Sequence, residues 1–148
     1  MELSMPSILL VEDDPNDVAL FRRAVQKTGL KTDIHVAEDG ECAISMLQSH
    51  HQTGFKERFY LPRLVLLDLK MPRVSGLEVL EWIRNQPSIR RLPVVVFTSS
   101  CETMDVAKAY ELGANSYLVK PVSFDQLQEI VVAIHHYWIG LNEPPDLD

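Results

Sequence analysis

The residues of this chain that could do chemistry sit where apolar runs stop. Leu64-Val65-Leu66-Leu67 ends in Asp68, with Lys70-Met71-Pro72 and Ser75-Gly76 directly behind it. Ile8-Leu9-Leu10-Val11 ends in Glu12-Asp13-Asp14. Val94-Val95-Val96-Phe97 ends in Thr98-Ser99-Ser100, and Tyr117-Leu118-Val119 in Lys120-Pro121. A short apolar run bounded by turn residues reads as a buried parallel strand. Open α/β sheets place their ligands at the carboxyl ends of such strands. One sheet edge is therefore expected to collect several carboxylates, a hydroxyl and an ammonium.

That collection suits two kinds of chemistry. Mg²⁺ takes oxygen ligands in near-octahedral geometry and keeps several waters. Asp13 and Asp68, from adjacent strands, would reach one ion, with a backbone carbonyl completing the set and Glu12 holding it through a water. Without a cation these acids repel, and at least one pKa is expected to rise. A carboxylate can also attack phosphorus to form an aspartyl phosphate. Asp68, at the end of the central strand, is the candidate nucleophile. An incoming phosphoryl dianion then needs positive charge, and Lys120 offers a compact ammonium on a flexible stem. Thr98 and Ser99 add donors. A cis Lys120-Pro121 bond would fix the direction of the lysine.

The elements that must position these groups alternate strand and helix. Strands are expected at Ser7–Val11, Asp33–Ala37, Leu64–Leu67, Pro93–Phe97 and Ser116–Val119. Asp14 caps the first helix with Pro15 at its first position, and Gly29 closes it. A second helix runs from Gly40 to about Gln48 with Ala43, Ile44 and Leu47 inward. A third opens at Ser75 or Gly76 with Leu77, Leu80 and Ile83 on one face. The fourth spans about Glu102 to Leu112, closed by Gly113, and its apolar face of Val106, Ala109 and Tyr110 is thin. Ser123-Phe124-Asp125-Gln126 is a capping box for a last helix that Gly140 ends. Alternating strands and helices predict a parallel sheet covered on both faces. The stretch from Ser49 to Arg63 exceeds an ordinary loop and reads either as an extended second helix plus a surface loop or as a segment whose Phe55, Phe59 and Tyr60 pack down or meet a partner.

With 148 residues the chain has a single-domain length, spanning 1–148 with a core over about 6–140 and a flexible acidic tail at 141–148. Net charge is −7, which argues against a nucleic-acid surface and an anionic membrane. Cys42 and Cys101 lie far apart without a CxxC pattern and read as reduced thiols. No segment resembles a signal peptide or a membrane span, so a cytoplasmic location is expected. His50-His51 and His135-His136 read as solvated, since adjacent histidines point to different helix faces.

In this order, each at a strand end, Glu12-Asp13, Asp68 with Met71-Pro72 and Gly76, Thr98 and Lys120-Pro121 resemble the receiver domain of two-component response regulators. The resemblance covers roughly residues 6–139. It implies the flavodoxin-like receiver fold, a doubly wound α/β sheet of five parallel strands in order 2-1-3-4-5. It implies Asp68 as the phosphoacceptor of a partner histidine kinase. Mg²⁺ would be held by Glu12, Asp13, Asp68 and the backbone carbonyl of Lys70. Thr98 would hydrogen-bond the phosphoryl oxygens, Lys120 would pair with them, and Tyr117 would be the aromatic switch that follows Thr98.

The start Leu10–Val18, the insertion before Leu64 and a long last helix ending near Tyr137-Trp138 resemble, more narrowly, the small receivers of cyanobacterial phytochrome kinases. That implies a light-sensing kinase partner and a homodimer through the last helix. With no room for an output domain after Gly140, output is expected to run through contacts with an unknown downstream protein. Two departures stand out: Glu12 replaces the commoner aspartate, and Lys70 lies beside the incoming phosphoryl group. Two other classes compete. A Mg²⁺-dependent aspartyl-phosphate phosphohydrolase would want an acid where Lys70 stands, and a flavodoxin would want hydroxyls and glycines where Glu12-Asp13-Asp14 stand.

Overall fold

The computed structural model describes residues 5–49 and 61–147. Strands β1 (Ser7–Val11), β2 (Asp33–Ala37), β3 (Leu64–Leu67), β4 (Val94–Thr98) and β5 (Ser116–Val119) alternate with helices α1 (Pro15–Thr28), α2 (Gly40–Ser49), α3 (Gly76–Arg84), α4 (Thr103–Glu111) and α5 (Phe124–Ile134). All strand pairings are parallel, and the order is β2-β1-β3-β4-β5. The expected doubly wound sheet is the one observed.

The apolar runs explain the order. β1, β3 and β4 are buried along their whole length, whereas β2 and β5 alternate or open to solvent, which suits the two edges. Successive side chains on a strand point to opposite faces. Ile8, Leu10, Leu64 and Leu66 therefore join Phe21 and Ala24 of α1 and Leu127 and Val131 of α5. Leu9, Val11, Val65 and Leu67 join Ala43 and Leu47 of α2 and Val79, Leu80 and Ile83 of α3. Each such buried side chain contributes about 1.5–3 kcal/mol. α4 sits on a much smaller cluster of Leu69, Val96 and Ala109, as its thin apolar face predicted.

The caps follow the sequence signals. Asp14 accepts the Asn16 N–H at 2.9 Å with Pro15 opening α1, and Gly29 closes it at φ 70°. Ser75 caps α3 and Ser123 caps α5. Three details differ from expectation, and a fourth point is settled. β4 begins at Val94 and takes in Thr98, because Pro93 has no N–H for the ladder. α4 is one residue shorter at each end. Gly140 does not end the last helix: a π-helical extension continues over His135–Leu141, and the chain turns extended only at Asn142. No described peptide bond is cis, so Lys120-Pro121 is trans.

Two contacts involve the acidic tail. The Arg91 guanidinium donates to the Asp146 carbonyl at 2.9 Å, and Leu147 packs against the α2–α3 core. Phe55, Phe59, Tyr60 and His50-His51 lie outside the described residues.

Candidate functional site

Register brings the strand-end residues together. Val11 of β1 pairs with Leu67 of β3, so the next residues, Glu12 and Asp68, emerge side by side. The Asp68 N–H donates to the Val11 carbonyl at 3.1 Å, and the Glu12 N–H to the Ala37 carbonyl at 3.0 Å. Leu67 pairs with Val96, and Thr98 pairs with Val119, so Thr98 and Lys120 complete the same edge. The Lys120 N–H donates to the Thr98 carbonyl at 2.7 Å. Behind Asp68, the Gly76 N–H donates to the Leu69 carbonyl at 3.0 Å. A Cβ at Gly76 would stand 2.0 Å from the Asp68 carbonyl oxygen, so only glycine fits there.

Carboxylate oxygens of Glu12, Asp13 and Asp68 lie within 4.8 Å of one another. Glu12 and Asp68 are buried while Asp13 faces solvent. Asp68 is recessed, with 7% of its surface exposed. Its Oδ1 is buried with no hydrogen-bond partner among the described residues, and so is the Thr98 hydroxyl. Buried polar atoms normally find partners, so two orphans in one acidic recess mark a place built for a ligand. An all-oxygen donor set around an orphaned carboxylate oxygen fits a hard divalent cation.

Lys120 is the counter-charge. Its Nζ lies 2.5 Å from Glu12 Oε1, 2.8 Å from Asp17 Oδ2 and 3.4 Å from Asp68 Oδ2. Burial alone would depress its pKa, but the hydrogen bonds to Asp17 and Glu12 and the charge of Asp68 raise it, so it stays an ammonium. Glu12 moves the other way from most ion-paired acids. Burial pushes its carboxyl up to about 7, Lys120 opposes the shift, and repulsion from Asp68 adds to it. The expected rise of one carboxyl is present, with desolvation rather than repulsion as its leading cause.

Tyr117 lies between Thr98 and α4. Its hydroxyl donates to the Ser100 carbonyl at 2.8 Å, and its ring packs on the small α4 cluster. Burial raises its pKa. The Lys70 ammonium pairs with Asp105 of α4, 3.2 Å away. That pairing holds the Lys70 pKa up and, after the Ser100 hydroxyl bond, holds the Asp105 carboxyl below its usual range. Asp17 and Asp105 were not anticipated as site neighbours. Asp17 stands in the first turn of α1, where an acid reads as a helix-dipole residue, and Asp105 stands likewise in α4.

A five-stranded doubly wound sheet with an acid triad, a lysine and a buried hydroxyl at its carboxyl edge is the arrangement that the resemblance to receiver domains implies. A profile described as the response regulator receiver domain matches residues 8–132. The chain belongs to that family, whose members are signalling proteins rather than enzymes with external turnover.

The chain is 42% identical over 138 residues to the probable methanogenesis regulatory protein FilR2 of Methanothrix harundinacea, spanning 93% of this chain and 86% of that one. It is 37% identical over 132 residues to the response regulator Rcp1 of Synechocystis, spanning 89% and 88%. The crystal structure of Rcp1 in its Mn²⁺-bound form aligns with a TM-score of 0.81 at 36% identity, over 95% of this chain and 99% of that one. The phosphorylated cyanobacterial phytochrome response regulator RcpA aligns with a TM-score of 0.84 at 32% identity, over 96% and 99%.

Proposed function

We propose that the chain accepts a phosphoryl group on Asp68 from a histidine kinase and signals through phosphorylation-dependent protein contacts. The observation that carries this reading is the recess around Asp68, where Glu12 and Asp13 lie within 4.8 Å, the Lys120 ammonium at 3.4 Å, and the Thr98 hydroxyl is buried and unpartnered. Glu12, Asp13, Asp68 and the Lys70 backbone carbonyl would hold Mg²⁺, which would supply positive charge to offset that of the incoming phosphoryl group.

An Asp68 carboxylate oxygen bonds to phosphorus as the bond from phosphorus to the donor histidine nitrogen breaks. Lys120 turns from Glu12 toward the new phosphoryl oxygens, with Asp17 still anchoring it on the α1 side. Thr98 donates its hydroxyl to a phosphoryl oxygen and moves toward Asp68. Tyr117, on the adjacent strand, follows and changes the α4–β5 surface, a shift between two populations.

A light-sensing phytochrome-type kinase is the proposed partner, supported by the likeness to RcpA and by the long last helix. The higher identity to FilR2 names a different regulatory setting for that relative. Copurification with a histidine kinase distinguishes the two. The protein acts in the cytoplasm, in keeping with a described chain that holds no helix long and apolar enough to cross a membrane. It is proposed to form a homodimer along the last helix, whose Val132, Tyr137 and Leu141 are exposed.

The direct test is intact mass after incubation with Mg²⁺ and acetyl phosphate. One phosphoryl adduct is expected on the wild type and none on Asp68→Asn. An adduct that survives in Asp68→Asn, or no adduct at all on the wild type, overturns the assignment. Steady release of phosphate from added esters would instead favour a phosphohydrolase.

A further inference from the structure

Lys70 lies two residues beyond Asp68, on a side chain that is 65% exposed and so has a free choice of partner. It takes Asp105, whose Oδ2 lies 3.2 Å from Nζ. Asp105 is one of three buried acids among the described residues, with Glu12 and Asp68. It is itself held in place. The same Oδ2 accepts the Ser100 hydroxyl at 2.5 Å, and the Ser100 Oγ accepts the Glu102 N–H at 3.3 Å. A first-turn acid suits a helix N-terminus, which accounts for an acid at that position. It does not account for an acid that is buried, tied to the loop before α4, and paired with the lysine beside the phosphoacceptor. The pair ties to α4 the ammonium of a residue two positions from Asp68 in the chain.

We propose that Asp105 is a positioning residue that keeps the Lys70 ammonium off the phosphoryl group of Asp68 and thereby shortens the life of the phosphorylated state. The proposal rests on Asp68 as the phosphoacceptor. In hydrolysis, a water oxygen bonds to phosphorus and the bond from phosphorus to the Asp68 oxygen breaks. The electron pair returns to the carboxylate, and the proton of the water passes to solvent as inorganic phosphate leaves. The attacking water oxygen and the departing Asp68 oxygen must lie roughly in line through phosphorus. A long side chain drawn across the phosphoryl oxygens by its ammonium occupies the approach of that water, and hydrolysis slows. Lys70 is the side chain that could take that position. Asp105 competes for its ammonium.

The experiment loads the protein with acetyl phosphate and Mg²⁺, removes the donor by desalting, and follows loss of the adduct by intact mass. Asp105→Asn keeps the shape and the Ser100 contact but drops the charge. Its adduct is expected to last about two- to fivefold longer than in the wild type, the factor that the loss of one exposed ion pair is worth. Lys70→Gln, an exposed change that does not threaten folding, is expected to stay within about twofold of the wild type, because an exposed ammonium already paired with Asp105 contributes little at Asp68. In the double variant the lengthening should vanish.

An unchanged lifetime in Asp105→Asn overturns the proposal. So does a lengthening that persists in the Lys70→Gln background, which would make Asp105 act through α4 packing, and so does a large change in Lys70→Gln alone. If the wild type takes no phosphoryl group, the phosphoacceptor reading falls as well. If it takes one and the variants fail these expectations, only the role of Asp105 falls.

Discussion

Asp17 shows how a residue with no motif of its own can enter a site. One turn into α1, it comes within 2.8 Å of the Lys120 ammonium and shares it with Glu12. The recess therefore confronts one ammonium with several acids, and Glu12, the most desolvated, carries the cost. Its carboxyl ordinarily titrates at 4.5, and in the fold it titrates at about 7. The folded state then holds a proton that the unfolded chain has already released. That advantage is complete below about pH 4.5 and is lost as pH rises through about 7. In cation-free protein, melting curves of the wild type and Glu12→Gln should therefore diverge between pH 5 and pH 8, with the wild type losing more stability over that window. Parallel curves would show that Glu12 is ionised in the fold throughout. Added Mg²⁺ should narrow the gap at the alkaline end, because the bound cation favours the carboxylate.

Two element-scale contacts hold the site's scaffold. Gly76, the first residue of α3, lies so close to β3's exit that a methyl would meet the Asp68 carbonyl at 2.0 Å. Gly76→Ala must push helix and strand end apart, and is expected to cost about 1–3 kcal/mol in denaturant unfolding. Because the displaced atom belongs to the backbone of Asp68, the proposed phosphoacceptor, adduct formation should slow as well. A destabilised protein with normal uptake would separate the two effects. At the other end of α3, Arg84 acts as a staple. Its guanidinium donates to the carbonyls of Arg90, Leu92 and Gly113, twice to the last, and to the Asn115 amide oxygen. Burial lowers its pKa, and each of these partners is neutral. Arg84→Met retains the apolar stem but strands those acceptors, with a cost of about 1–3 kcal/mol expected as a shift in the denaturation midpoint.

Across the whole molecule the helices are anchored unequally. α1 and α5 pack a large cluster on one face of the sheet and α2 and α3 another on the opposite face, whereas α4 rests on a cluster of three buried residues. The lightly anchored helix is the one tied to Lys70 and Tyr117, so the element proposed to shift on phosphorylation is the one with least to lose. The last helix, by contrast, is anchored on one side by Ile130, Trp138 and Ile139 packing on the core, and Arg63 donates to the Ile139 carbonyl at 3.2 Å. Trp138 thus serves its own core, and the dimer question passes to the outward residues. Val132→Asp should halve the mass seen by light scattering if the helix forms a dimer seam. An unchanged mass removes that seam.

Much of this was legible in the sequence because it depends on short-range rules. Apolar runs of strand length, each followed by turn residues, specified the buried strands, and Asp14-Pro15, Ser75 and Ser123 announced the helix starts. Asp68, Glu12, Asp13, Thr98 and Lys120 could be named because each ends a run, and strands of one parallel sheet end at one edge. What lay beyond reach depends on how elements approach one another. Asp17 and Asp105 look like ordinary first-turn acids until α1 and α4 dock. Arg73 adopts φ 64° with its guanidinium 3.0 Å from Asp39, and no local signal marks it. The helix runs through Gly140 because tertiary packing outweighs the residue's weak helix propensity. Sequence alone thus determined which groups gather at the sheet edge. The tertiary structure decided their charge states and partners, because desolvation and ion pairing are set by distances between residues far apart in the chain.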